Sequence, residues 1–317
     1  MPRESGNSGA IPACAGTFPW GICAAAMQVI LPAVLPVFIV AAIGYWLATT
    51  GRPFDSKTVA FLVSGIGTPA LVFFNLAKTP MVPGVLFFLA AATMCAITFY
   101  LAVGTVVLKA AGLKSRTYLP SLAFPNSGNL GLPLALYAGG EAGLETAIVV
   151  FAVTSIFNLT AGQAIAAGKG QWGLVAKSPI IPMVVLGLAF AWSGTVLPVW
   201  AVNTLTLLSS LTIPLMLLML GTSLAKIHVT SVPRSALLGI LRIGMGAVAG
   251  FALSELFGFT GAERIGFVVQ CTMPVAVYNY LFAQMYDSEP EQVASLVVVS
   301  TLLSVVTTPL VLAMLVG

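Results

Sequence analysis

The sequence predicts an all-α, polytopic membrane protein, on three observations. Of its 317 residues, 59% are hydrophobic and only 7% charged, far below the roughly one quarter charged that a water-facing surface carries. The apolar residues fall in runs about 20 long, the length that crosses a hydrocarbon core. These runs are apolar on all sides and do not alternate as the strands of a barrel would. Soluble enzymes and disordered regulators are excluded by this composition. With 13 Lys+Arg against 9 Asp+Glu, charge is too sparse for a nucleic-acid surface.

Taken in chain order, Gly, Pro and charged clusters divide the chain into ten spans: 27–48, 57–77, 84–110, 118–138, 144–167, 174–193, 199–225, 235–257, 263–286 and 292–315. Residues 1–26 hold no continuous apolar core and read as a disordered tail or an over-extended start rather than a signal peptide. Cys14, Cys23, Cys95 and Cys271 lack metal-type spacing and read as small buried hydrophobes. Arg52, Lys57, Lys109, Lys114, Arg116, Lys169, Lys177, Lys226 and Arg234 fall in one set of loops, and only Arg3, Lys78 and Arg264 in the other. That asymmetry places the first set in the cytoplasm and both termini outside, in a bacterial-type inner membrane.

The prolines carry an internal duplication. Pro36, Pro69 and Pro125 are separated by 33 and 56 residues, and Pro182, Pro214 and Pro274 by 32 and 60. Tyr137 and Tyr286 each follow the last proline of their set by 12 residues, with Ser155 and Ser304 a further 18 on. Residues 27–168 and 169–317 therefore read as two five-span repeats. An odd number of spans turns the second copy upside down, as in many secondary transporters.

Span four contains the most unusual stretch, Phe124-Pro125-Asn126-Ser127-Gly128-Asn129-Leu130-Gly131-Leu132-Pro133. Pro125 breaks the helix, Gly128 and Gly131 ease the departure, and Pro133 is suited to begin a new half-helix. Backbone groups freed in this way must face protein or a cavity, because hydrocarbon offers them no partner. The positive end of the half-helix, with the side chains of Asn126, Ser127 and Asn129, forms a cradle for a carboxylate. Span nine supplies the matching break at Pro274, with Thr272, Tyr278 and Asn279 as polar groups at the same depth and no glycine beside them.

At these residues the chain resembles the auxin efflux carrier family, which includes malate and malonate permease-like bacterial members and is distantly related to bile acid:sodium symporters. The resemblance runs from Met27 through almost the whole chain, and the Pro125–Pro133 run is its most specific part. It implies a scaffold and a transport domain, helices crossing at their proline breaks, an elevator-like motion, an organic-anion substrate, and contact between Asn126 and the substrate carboxylate. Val275 departs from the Gln that follows the second crossover proline in plant carriers, and the long cytoplasmic loop of many of those carriers is missing. Both departures argue against auxin itself.

The acids Glu4, Asp55, Glu141, Glu145, Glu255, Glu263, Asp287, Glu289 and Glu291 lie near span ends or in loops, which disfavours sodium coupling; a bile-acid-type sodium symporter is the alternative. Arg242, inside span eight, has two readings: a side chain snorkelling to the headgroups, or one that attracts anions. Asn75, Asn158 and Asn203 read as helix-packing hydrogen bonders. The lone histidine, His228, has no partner at ligand spacing, so neither enzyme nor metal chemistry is expected, and no charged ring or repeated pore motif suggests a channel. The partners expected are a small organic anion, the bilayer and a second copy in a homodimer, with no cofactor.

Overall fold

The computed structural model describes residues 35–52, 54–78, 83–168, 180–193, 195–225 and 230–316. Expectations for the tail at 1–26, for Cys14 and Cys23, and for His228 lie outside these residues. The described regular structure is helical throughout. It comprises α1 (Leu35–Thr49), α2 (Ser56–Phe61), α3 (Thr68–Lys78), α4 (Pro83–Ala110), α5 (Ser115–Ala123), α6 (Leu132–Phe157), α7 (Gln163–Ala167), α8 (Ile180–Ser193), α9 (Val199–Ala225), α10 (Val232–Leu256), α11 (Gly261–Thr272), α12 (Val277–Met285) and α13 (Pro290–Val316). Three π-helical turns, Leu62–Gly67, Ser127–Gly131 and Asn158–Gly162, join α2 to α3, lead into α6, and join α6 to α7. Among the described residues there is no strand, only one isolated antiparallel bridge between Pro125 and Val275.

Five continuous helical stretches among the described residues are long and apolar enough to cross a bilayer: Gly84–Ala110, Ser127–Ala167, Val199–Ala225, Val232–Leu256 and Pro290–Leu315. The stretch Ser127–Ala167 is not straight. Gly140 sits at φ 64°, ψ −160°, where a side chain is disfavoured, and folds α6 into two legs between the predicted fourth and fifth spans. The chain is therefore an all-α, multi-pass membrane protein.

The helices pack in two groups, each drawing on both halves of the chain. One holds α1, α2, α3, α8 and α9, with α3 lying against α8 and α9. Here α1 meets α9 backbone to backbone: Gly221 lies against the Ala41 carbonyl and Gly44 against that of Leu218, with no room for a Cβ at either position. Without a hydrophobic driving force between helices in lipid, such close dispersion contact is what holds them together. The other group holds α4 to α7 and α10 to α13, with α11 packed on α6 and α13 on α10. The groups meet where α9 touches the turn Ser127–Gly131 and where α3 and α8 touch α6.

Candidate functional site

The second group contains two broken helices whose gaps face each other. Helix α5 stops at Ala123 and α11 at Thr272, after which Phe124 (φ −114°, ψ 108°) and Met273 (φ −60°, ψ 146°) are extended. Each extended piece satisfies the backbone groups that the other break leaves open. The Asn126 N–H donates to the Pro274 carbonyl at 2.7 Å, and the Ala276 N–H lies 3.5 Å from the Phe124 carbonyl. The Phe124 oxygen also accepts from Asn279 Nδ2 at 3.1 Å, and the Val275 N–H donates to Ser300 Oγ at 3.1 Å. A pair of breaks deep in a membrane protein survives because nearly every freed group has such a partner.

The gap in the first broken helix is shorter than its sequence suggests. Pro133 does not begin the new half-helix; the chain returns to helical form at Ser127, through the π-turn Ser127–Gly131, and Pro133 falls in the first turn of α6. The Gly131 N–H reaches back to Asn126 O at 3.0 Å and the Leu132 N–H to Ser127 O, one residue further than in an α-helix. The π-register ends just before Pro133, where the ring removes the next donor. Gly131 lies against Gln270: a Cβ there would come within 2.6 Å of Gln270 Oε1. Fully buried, Gln270 donates from Nε2 to the carbonyls of Ser127 (3.2 Å) and Ala147 (3.3 Å) and so clamps α11 onto both the π-turn and the leg of α6 beyond Gly140.

A cavity of about 370 Å³ opens beside the crossover, between the two helix groups. All three π-turns contribute to its wall, through Val63 and Gly65, through Ser127, Gly128 and Asn129, and through Asn158 and Leu159. A π-turn carries one extra residue per turn and re-aims its side chains, which suits a binding wall better than a packed interface. Its polar lining includes Asn126, Asn129, Thr154, Ser155, Asn158 and Gln163. The lining also has apolar residues, Met216 and Met219 from α9, Phe151 from α6, and Phe282 and Met285 from α12. Among the described residues that line it, none is a Lys, Arg, His, Asp or Glu.

Of the residues the sequence nominates for substrate, Asn126, Ser127, Asn129 and Tyr278 line this cavity. Thr272 and Asn279 do not. Thr272 Oγ1 is turned back on its own helix, 3.0 Å from the carbonyls of both Val268 and Val269, while Asn279 Nδ2 is engaged by Phe124 O. Among the crossover residues, Pro125 and Gly128 line the cavity and Pro274 lies behind it as an acceptor.

Asn158 is also a cavity residue, with its Oδ1 buried and without a hydrogen-bond partner, rather than a helix-packing contact. Gln163, not singled out in the sequence, lines the same wall and donates from Nε2 to the Tyr286 hydroxyl at 2.7 Å. Asn75 Nδ2 bonds its own helix at Leu71 O (2.9 Å), and Asn203 is exposed. Cys271 is buried, while Cys95, against expectation, is exposed.

Arg242 does not snorkel. It is fully buried, with NH2 donating to Cys271 O at 2.9 Å and its guanidinium stacked 4.4 Å from the centre of the Tyr100 ring. Gly246, one turn further along α10, lies so close to the Cys271 carbonyl that a Cβ would overlap it. That approach holds α10 on the end of α11 and keeps the guanidinium inside. Arg242 is not among the cavity lining.

Two broken helices crossing beside an amide-lined cavity, inside a multi-pass helical membrane protein, define a membrane transporter. The family model described as "Membrane transport protein" matches residues 29–177 and 175–312. The chain belongs to this family, the auxin efflux carrier family that its proline–asparagine run resembles. It is similar to an uncharacterized transporter of Methanocaldococcus jannaschii, 27% identical over 290 residues that cover 86% of this chain and 94% of that protein. A second uncharacterized transporter, from Methanothermobacter thermautotrophicus, is 27% identical over 292 residues covering 87% and 95%.

Proposed function

We propose that the chain carries organic anions bearing a single carboxylate across the cell membrane, by movement of the crossover group against the group containing α9. The observation that carries this reading is Asn126. Its backbone N–H is committed to Pro274 O, but its side-chain Nδ2 is a buried donor with no acceptor in the protein, on a residue that lines the cavity at the start of a half-helix. Two half-helices start at the crossover, at Ser127 and Val277, and each N-terminus is equivalent to roughly +0.5 charge. Both favour an anion there without carrying net charge themselves. A second carboxylate would meet no cationic side chain among the described lining residues, and Met216, Met219, Phe151 and Phe282 suit an apolar body.

The proline spacing and the bridge between Pro125 and Val275 support the inverted-repeat plan behind this motion. The loop asymmetry of Lys and Arg supports termini outside an inner membrane. The test is uptake by proteoliposomes of radiolabelled phenylacetate and of radiolabelled malate at alkaline pH, each measured against protein-free vesicles. Phenylacetate is expected to enter faster than malate, and uptake of neither overturns the proposal. Replacing Na⁺ by choline is expected to leave the rate unchanged. Loss of uptake in choline would instead favour the sodium-coupled alternative.

A further inference from the structure

Arg242 is the only Lys, Arg, Asp or Glu that is buried among the described residues. It lies eight residues along α10 from Arg234, about 12 Å deeper at helical rise. A guanidinium stays protonated in a protein, so the charge is permanent. Among the described residues no carboxylate is paired with it: neither the Lys114–Glu289 nor the Arg264–Glu255 salt bridge involves it. Among the described residues its polar contacts are the carbonyl end of α11 and the face of Tyr100, and Nε and NH1 have no hydrogen-bond partner. A carbonyl dipole and a ring quadrupole ease the burial of a cation but carry no net charge themselves. An ionised residue retained at such depth in a membrane protein marks function.

Two facts decide which function. Arg242 is absent from the cavity wall, so it does not touch the ligand. It is tied through Cys271 to the same broken helix that forms the crossover, so it travels wherever the crossover travels.

We infer that Arg242 is the fixed counter-charge of the moving group, so that the group crosses electrically neutral with one monovalent anion bound and carries net positive charge only when it returns empty. This rests on the carrier reading above. Voltage then acts on the empty step alone. Net uptake depends on the membrane potential, whereas exchange, in which every crossing is loaded, does not. Removing the charge reverses the assignment: the loaded step carries the anion's charge, the empty step carries none.

The experiment measures radiolabelled phenylacetate in proteoliposomes under potassium-diffusion potentials of either sign. Net uptake is followed in one set, and exchange against saturating internal phenylacetate in the other. In the parent protein, exchange is expected to run at the same rate at zero potential and at both signs while net uptake changes several-fold with the sign. Arg242→Lys keeps exchange insensitive to voltage, whatever its absolute rate, and Arg242→Gln makes exchange fall several-fold between zero potential and an applied one, because one of the two loaded crossings then runs against the field. Exchange that follows the potential in an active parent overturns the inference and leaves the carrier reading standing. If no uptake or exchange above protein-free vesicles is seen, the carrier reading fails and this inference with it. A purely structural Arg242 would alter rates or folding, not transfer the voltage dependence from one step to the other.

Discussion

The two broken helices at the crossover use the same proline for different ends. In the first, Pro125 is followed by a π-turn, and Asn126, Ser127 and Asn129 all line the cavity. In the second, the chain runs from Pro274 through an extended Ala276 (φ −69°, ψ 138°) into a regular α12. Tyr278 lines the cavity, but Thr272 turns to its own helix and Asn279 to Phe124 O. The difference follows from the glycines. Gly128 and Gly131 let the first break lie against Phe151 and Gln270, which frees its side chains for the cavity. The second break has no glycine and spends its amide on holding the bridge. The first break presents its amides to the cavity, and the second spends its own amide on keeping the first in place.

This division is open to direct attack. The largest effect is expected from Asn126→Ala, which removes a donor that no protein group uses. Uptake should fall to the level of protein-free vesicles while the melting temperature stays near that of the parent. Normal transport by this variant would take the ligand role away from the first break.

Gly131→Ala comes next, because its Cβ would force Gln270 off the Ser127 and Ala147 carbonyls. Thermal unfolding should show a loss of about 1–3 kcal/mol, the usual consequence of stranding buried polar groups. Combining it with Gln270→Ala should cost less than the two losses added, since both act on one contact.

Asn279→Ala leaves Phe124 O with only the long contact to the Ala276 N–H. It should lower stability by about 1–2 kcal/mol, and uptake should follow the amount of folded protein rather than vanish. A stable Asn279→Ala protein with no transport would show instead that both breaks bind the ligand. The smallest change is expected from Ser300→Ala, which withdraws one acceptor from the Val275 N–H, at about 1 kcal/mol in the same measurement.

Much of the molecule was legible in the residues themselves. Gly140 bends α6 inside the short interval left between the predicted fourth and fifth spans, and the breaks fall at Pro125 and Pro274, where ring chemistry requires them. What could not be read was the direction in which polar side chains point. Thr272 and Asn279 are as polar as Asn126, yet they face backbone. Gln163 and Asn158 stand more than 30 residues along the chain from Asn126 and reach its cavity only because α6 doubles back at Gly140. A packing asparagine and a cavity asparagine look alike in one dimension. The π-turns were equally hidden, since a helix widened by one residue has the same composition as one that is not.

Composition and proline position alone determined that this chain lies in a membrane, that it is helical, and that two of its helices break. These are properties of local backbone chemistry and of transfer from water to hydrocarbon, and both can be added up along a sequence. Which groups face the cavity, why Gln270 needs Gly131 beside it, and why Arg242 sits on the end of α11 were decided only when distant helices packed. Hydrogen-bond satisfaction deep in the protein is a property of pairs, and the pairs exist only in three dimensions.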